Sequence, residues 1–230
     1  MRRHLFYFIR HGQSIYNERA IRQDSHGQLS DRGVEQAHIT GERLHEEEKK
    51  QGKMQVILCS PYDRTRETAD IINNHIHVSK PIEYSDLLRE RRNPTQIIGK
   101  STNDPEIKKI VDMMDHTYHS DDYRFADEEN FTDLKERAKL CLEYLEKRKE
   151  KRIVVVTHGI YLKMLIAYIT IGDKLTSQDY NKISFFYPSN NASVTVAEYV
   201  NGFLAPKKEE RWTLLVWDDH YDTKGGNTAI

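Results

Sequence analysis

Disulfide chemistry has little to work with in this sequence, whose 230 residues hold only two cysteines, Cys59 and Cys141. One pair cannot make the framework of a small secreted protein, and both lie in apolar contexts, so they read as core residues in a reducing compartment. Long hydrophobic runs are missing as well, none approaching the roughly 20 residues that span a bilayer. The opening Met1-Arg2-Arg3-His4-Leu5-Phe6-Tyr7-Phe8-Ile9 places basic residues before an apolar run, but Arg10-His11 ends it well short of a signal-peptide core. A strand is expected there, in a soluble, cytoplasmic protein with no membrane association. Neither sign of charge dominates: 35 Lys and Arg face 36 Asp and Glu, for a net charge of −1. That leaves no global field to hold nucleic acid or an anionic surface, and any positive potential must be local. Among the 13 tyrosines, Tyr118, Tyr123, Tyr180 and Tyr187 form no base-stacking motif, so a nucleic-acid partner is not expected.

What the sequence does have is alternation. Strand-like and helix-like segments follow one another, which predicts an α/β fold with a mostly parallel central sheet and helices on both faces. Leu5 to Ile9 is dense in apolar residues, as a strand buried on both faces should be. Ser30-Asp31 caps a helix running from Arg32 toward Lys50, and Val56-Ile57-Leu58 is a strand that Ser60-Pro61 ends while starting another helix. Phe131, Leu134, Ala138, Cys141, Leu142 and Leu145 recur at helical spacing. Ile153 to Thr157 is the clearest buried strand, and Gly159 to Ile171 the helix after it. Ser193 to Val200 alternates weakly, Asn201-Gly202 predicts a two-residue hairpin turn, and Trp212 to Trp217 a further strand. At this length residues 1–230 are expected to form one domain, with a polar, irregular excursion at about 91–130 over the active site.

Four motifs place unusual side chains just beyond predicted strand ends, where open α/β sheets bind ligands. The first strand delivers Arg10-His11-Gly12-Gln13-Ser14, the second leads to Arg64, Leu87-Leu88 leads to Glu90, and the late buried strand delivers His158-Gly159. Phosphoryl transfer needs positioning and charge neutralisation, and arginine forks bind phosphate in bidentate fashion. Guanidinium charge also favours neutral imidazole, the form with a lone pair, so His11 is the candidate nucleophile. Gly12 is expected to let the backbone approach the ligand, and amides at a helix start to add an anion site. Ser14 and Asn17, one helical turn apart, either donate to the phosphate or cap the first helix. A poor alkoxide leaving group needs a proton donor opposite the nucleophile. Glu90 suits that role, Asp63 and Glu67 remain candidates for it, and the bland reading of Glu90 is a surface pair with Arg91 or Arg92. His158 suits a positively charged phosphate clamp, although chemistry alone does not separate it from a second nucleophile.

These pieces carry a resemblance. Phe8-Ile9-Arg10-His11-Gly12-Gln13-Ser14 with Asn17, Leu29-Ser30-Asp31-Arg32-Gly33-Val34-Glu35-Gln36-Ala37, Ser60-Pro61 with Arg64 and Thr68-Ala69, Thr157-His158-Gly159 and Asn191-Ala192-Ser193-Val194-Thr195 resemble the histidine phosphatase superfamily, also called phosphoglycerate-mutase-like. The resemblance implies a three-layer α/β/α sandwich, phosphorylation of His11, a phosphate pocket of Arg10, Arg64 and His158 joined by Ser14, Asn17 and Gly159, and Glu90 as proton donor. It also implies no metal and no other cofactor. After Glu90 the sequence Arg91-Arg92-Asn93-Pro94-Thr95-Gln96-Ile97-Ile98-Gly99-Lys100 departs from the glutamate-arginine-x-x-glycine loop of the mutase branch, which favours a phosphatase. The alternatives are a phosphoglycerate-type mutase, or a catalytically silent phospholigand- or protein-binding module. The expected substrate is a small-molecule phosphate ester, with a phosphoprotein as the other partner class, and Arg91, Arg92 and Lys100 either contact an acidic substrate or are solvated surface charge. His116-Thr117-Tyr118-His119 with Asp121-Asp122 has metal-like spacing, but its polar setting lacks a third fixed ligand.

Overall fold

The computed structural model describes residues 2–116, 120–202, 211–222 and 226–227. Its central sheet has six strands: β1 (Arg2–Arg10), β2 (Val56–Cys59), β3 (Glu83–Tyr84), β4 (Arg152–Thr157), β5 (Val194–Asn201) and β6 (Trp212–Asp219), in the order β3-β2-β4-β1-β5-β6. β1, β4, β2 and β3 are mutually parallel, and β5 runs antiparallel to β1 and β6. Residues 221–222 (β7) and 226–227 (β8) form a separate two-stranded pairing. The sheet is flanked by helices, as the three-layer expectation requires.

Strand periodicity explains the layers, because successive side chains of a strand point to opposite faces. Phe6 and Phe8, Val56 and Leu58, and Ile153 and Val155 enter one core with α5 (Phe131–Glu146) and α6 (Gly159–Ile171). Tyr7 and Ile9, Ile57 and Cys59, and Val154 and Val156 enter a second core with α2 (Asp31–Gln51) and α3 (Asp63–Ile76). A fully buried sheet must therefore be apolar at every position, which is why these strands read as continuous hydrophobic runs. Helix starts follow capping chemistry: Ser30 accepts from Gly33 N at the head of α2, and Asn130 forms a capping box with Asp133 at the head of α5. α1 (Ile15–Glu18) and α7 (Ser177–Phe186) complete the helices near the strand ends. Among the described residues no helix is long and apolar enough to cross a membrane.

Three expectations are corrected. The excursion contains a helix, α4 (Pro105–His116), whose Ile107, Ile110, Val111 and Met114 fall on one face and pack with Ile97 and Phe125 in a third core. The apolar i, i+3, i+4, i+7 spacing was there, diluted by charged neighbours. Asn201-Gly202 is not a two-residue turn: Tyr199 pairs with Trp212, so residues 202–211 separate the strands. Packing sets that register, since the Trp212 ring lies against both Tyr199 and Phe6. The third helix begins at Asp63 with no side-chain cap, two residues later than Ser60-Pro61 suggested.

Candidate active site

The C-terminal ends of the parallel strands converge because the backbone staples them together. His11 N donates to Thr157 O at 3.0 Å, Ser60 N to Val156 O at 3.0 Å and Ser85 N to Cys59 O at 2.9 Å. Over this edge lies a cavity of about 600 Å³ whose lining includes Arg10, His11, Asn17, Arg64, Glu90 and Gly159.

His11 is 3% exposed and its ring is fixed at both nitrogens. Nδ1 lies 2.7 Å from Gly12 O, which can only accept, so Nδ1 carries the proton. Arg64 Nε, which can only donate, lies 3.2 Å from Nε2. The imidazole is thus neutral, with its Nε2 lone pair turned toward the cavity's arginines. Burial, and then the charges of Arg64 and Arg10, hold its pKa well below the usual imidazole range against the opposing Gly12 carbonyl. Arg64, 2% exposed, is anchored by donating from Nη1 to Asp24 O at 2.8 Å and stands 5.2 Å from the Tyr62 ring centroid. Arg10 donates from Nη1 to Ser189 O while its buried Nε has no hydrogen-bond partner among the described residues.

His158 caps α6 from the end of β4, fully buried behind His11 with ring centroids 5.2 Å apart. Its Nε2 meets Ser60 Oγ at 2.8 Å, and its buried Nδ1 has no hydrogen-bond partner among the described residues. Burial, and then Arg64, push its pKa well below the ordinary value, which favours a neutral ring over the positively charged clamp expected from sequence. It is not part of the cavity lining. Gly159 does line the cavity, where a Cβ would lie 3.1 Å from Arg10 Nε.

Glu90 is not a surface partner of its basic neighbours. Its carboxylate accepts from the amides of Arg91 at 2.8 Å, Tyr161 at 3.0 Å and Ile160 at 3.3 Å, so it sits at the first turn of α6 facing the cavity. Asp63 and Glu67 are elsewhere: Asp63 pairs with His26 at 3.3 Å and Glu67 accepts from Leu29 N at 2.9 Å. Asn17 lines the cavity, but Ser14 is fully buried and does not. The Ser14 hydroxyl accepts from Asn17 N at 3.0 Å in a capping box, so the phosphate contact expected of Ser14 gives way to its capping alternative. Gly12 serves packing rather than ligand approach, since a Cβ there would lie 2.4 Å from Gly33 O. Arg91 and Arg92 line the cavity; Lys100 is exposed and does not.

Sequence reading missed Tyr62, Lys163 and Ser189 in the lining. Lys163 was the most findable, four residues after Gly159 and so on the same helical face. Its Nζ donates to Ser184 O at 2.7 Å, and burial, with Arg10 nearby, lowers its pKa. Of the segment His116 to His119, residues 117–119 and the His116 side chain lie outside the described residues.

Residues 6–214 match the model of the histidine phosphatase superfamily, branch 1. A probable phosphatase of Schizosaccharomyces pombe is 30% identical over 200 residues, 84% of this chain and 85% of the relative. Phosphoglycerate mutase-like protein 4 of Arabidopsis thaliana is 24% identical over 229 residues, 92% of this chain and 83% of that protein. Among solved structures, a mycobacterial glucosyl-3-phosphoglycerate phosphatase bearing VO3 superposes with a TM-score of 0.70 at 21% identity, covering 95% of this chain and 99% of that one. The family match runs through every strand that carries the site, and the chain accordingly belongs to the histidine phosphatase superfamily, as an enzyme of the phosphatase or mutase kind.

Proposed function

We propose that the chain hydrolyses phosphate monoesters through a phosphohistidine at His11, with Glu90 as proton donor and without a metal ion. The observation that carries this is the fixed tautomer of His11, which leaves the Nε2 lone pair beside Arg64 at the cavity floor. Nε2 forms a bond to phosphorus as the bond from phosphorus to the ester oxygen breaks. Glu90 gives its proton to that oxygen, which departs as an alcohol. Water then attacks the phosphohistidine, Glu90 takes the water's proton, and inorganic phosphate leaves with His11 restored. Arg10 and Arg64 neutralise the equatorial oxygens. Asn17 and the Gly159 amide, which Glu90 does not take, supply the remaining donors, while His158 backs His11 from behind the cavity wall.

The cavity volume suits a small-molecule ester better than a protein surface. Hydrolysis is favoured over mutase chemistry by the Arg91-to-Lys100 sequence, which lacks the loop that holds phosphoglycerate. We propose that the described residues form one domain, with the start of the 91–130 excursion overhanging the site, because Arg91, Arg92, Asn93 and Ile98 form one wall of the cavity. The two free, buried cysteines suit a cytoplasmic setting. The test is His11→Ala with trapping of labelled phosphate on the protein by an alkaline denaturing quench, which preserves the acid-labile N–P bond. Turnover should fall by well over 10²-fold and trapping should vanish; normal hydrolysis by the variant overturns the assignment.

A further inference from the structure

Glu90 stands on a loop that is neither helix nor strand, so something else must hold it. Four consecutive carbonyls there are all taken by buried side chains. Arg137 of α5 donates from Nη1 to Leu87 O at 3.1 Å and Arg89 O at 2.8 Å, and from Nη2 to Glu90 O at 3.4 Å. Thr157 Oγ1 donates to Leu88 O at 2.7 Å. Arg137 is itself fixed: its guanidinium lies 3.9 Å from the Tyr161 ring centroid, with Nε and Nη2 donating to the two carboxylate oxygens of Glu129 at 2.7 and 2.8 Å. Glu129 also takes Arg92 N at 3.1 Å and returns its own amide to Arg92 O at 3.0 Å. The loop from Leu87 to Arg92 is thus held at both ends by one bidentate pair, 8% and 5% exposed.

Arg137 does not line the cavity, so it acts through another group. A buried ion pair contributes little net stability because desolvation offsets the attraction. Burial raises the Glu129 carboxyl, yet the hydrogen bonds and charge of Arg137 bring it below its ordinary value, so the pair is ionic. What the pair does supply is geometry: a planar fork that fixes three carbonyls at once. We propose that Arg137, held by Glu129, is a positioning residue that places the Glu90 carboxyl at the leaving-group oxygen. This rests on the reading of Glu90 as the proton donor.

The experiment compares kcat/KM for an alkyl phosphate and for 4-nitrophenyl phosphate, which needs little protonation on departure. That constant reports the steps up to release of the alcohol and so leaves out the Glu90-assisted hydrolysis common to both substrates. Arg137→Met should slow the alkyl ester on the order of 10²-fold, as misplacement of a reacting group by about 1 Å does. It should leave the aryl ester close to wild type. Arg137→Lys and the near-isosteric Glu129→Gln should show the same selectivity in weaker form, and they carry the test if Arg137→Met does not fold. In a Glu90→Gln background, Arg137→Lys should add no further selectivity, because both changes act at one step. Equal slowing of both esters by Arg137→Lys and Glu129→Gln, or no slowing of either, overturns the positioning role while Glu90→Gln still discriminates. Loss of that discrimination in Glu90→Gln itself removes the donor reading, and the positioning role with it.

Discussion

Gly33 lies on α2, twenty-two positions along the chain from the proposed nucleophile, yet the loop that carries His11 rests directly on it. A Cβ at Gly33 would fall 1.9 Å from Gln13 O and 2.9 Å from Gln13 N, both backbone atoms that cannot swing aside. An unstrained contact needs roughly 3.5 Å, so the 11–14 loop or the head of α2 must move by more than about 1 Å. Overpacking of this kind costs about 1–3 kcal/mol, or some 2–12 °C in Tm for a domain of this size. The same displacement, passed through Gly12 to His11, should lower kcat on the order of 10²-fold. Gly41→Ala is the internal control, eight residues further along the same helix. Its Cβ would meet the partly exposed His75 side chain at 2.5 Å rather than backbone, so the neighbour gives at less cost, and alanine's helix propensity offsets about 0.5–1 kcal/mol. Thermal melts and steady-state rates on an aryl phosphate should therefore separate the two variants. Wild-type melting and turnover for Gly33→Ala, or equal losses in both, would refute the packing argument.

Glu150 is expected to link stability to acid: burial raises its carboxyl, but Lys80 at 2.6 Å and Arg148 at 3.0 Å outweigh this and bring it to about 2. A depressed folded pKa contributes stability above the ordinary value of 4.5 and loses it as pH falls toward 2, a contribution of up to ~3 kcal/mol. Urea midpoints of wild type should drop between pH 5 and 3 more steeply than those of Glu150→Gln; parallel slopes would disprove the linkage. Activity should survive EDTA followed by dialysis into metal-free buffer, and loss of turnover restored by a divalent cation would exclude the metal-free route.

The layers were legible because strands such as Ile153 to Val156 are apolar at every position, which only a sheet covered on both faces demands. The convergence of Arg10, His11, Arg64, Glu90 and Gly159 followed from strand ends alone. What stayed hidden was long-range. Nothing local marks Arg137 as the holder of Leu87 to Glu90, since on its own helix it is one charged residue among several. Ser14 carries the same residue type whether it caps or contacts a ligand, and only its burial decides. The protonation of His158 depends on desolvation, which sequence does not contain. α4 escaped because its apolar face spans only four residues in a strongly charged stretch.

The central strand has both neighbours from far along the chain: Leu5 aligns with Arg152, and Arg2 with Asn201. Closing such distant pairings is slow, because loop entropy must be overcome before any contact rewards it. During synthesis or refolding the segment Leu5-Phe6-Tyr7-Phe8-Ile9 therefore waits, solvent-exposed, until most of the polypeptide is available to receive it. A five-residue apolar stretch of that composition is prone to aggregate in intermolecular β-pairing. Arg2, Arg3 and Arg10 bracket it with like charges that repel other copies, so the guanidinium proposed to hold phosphate in the finished enzyme also guards the nascent chain.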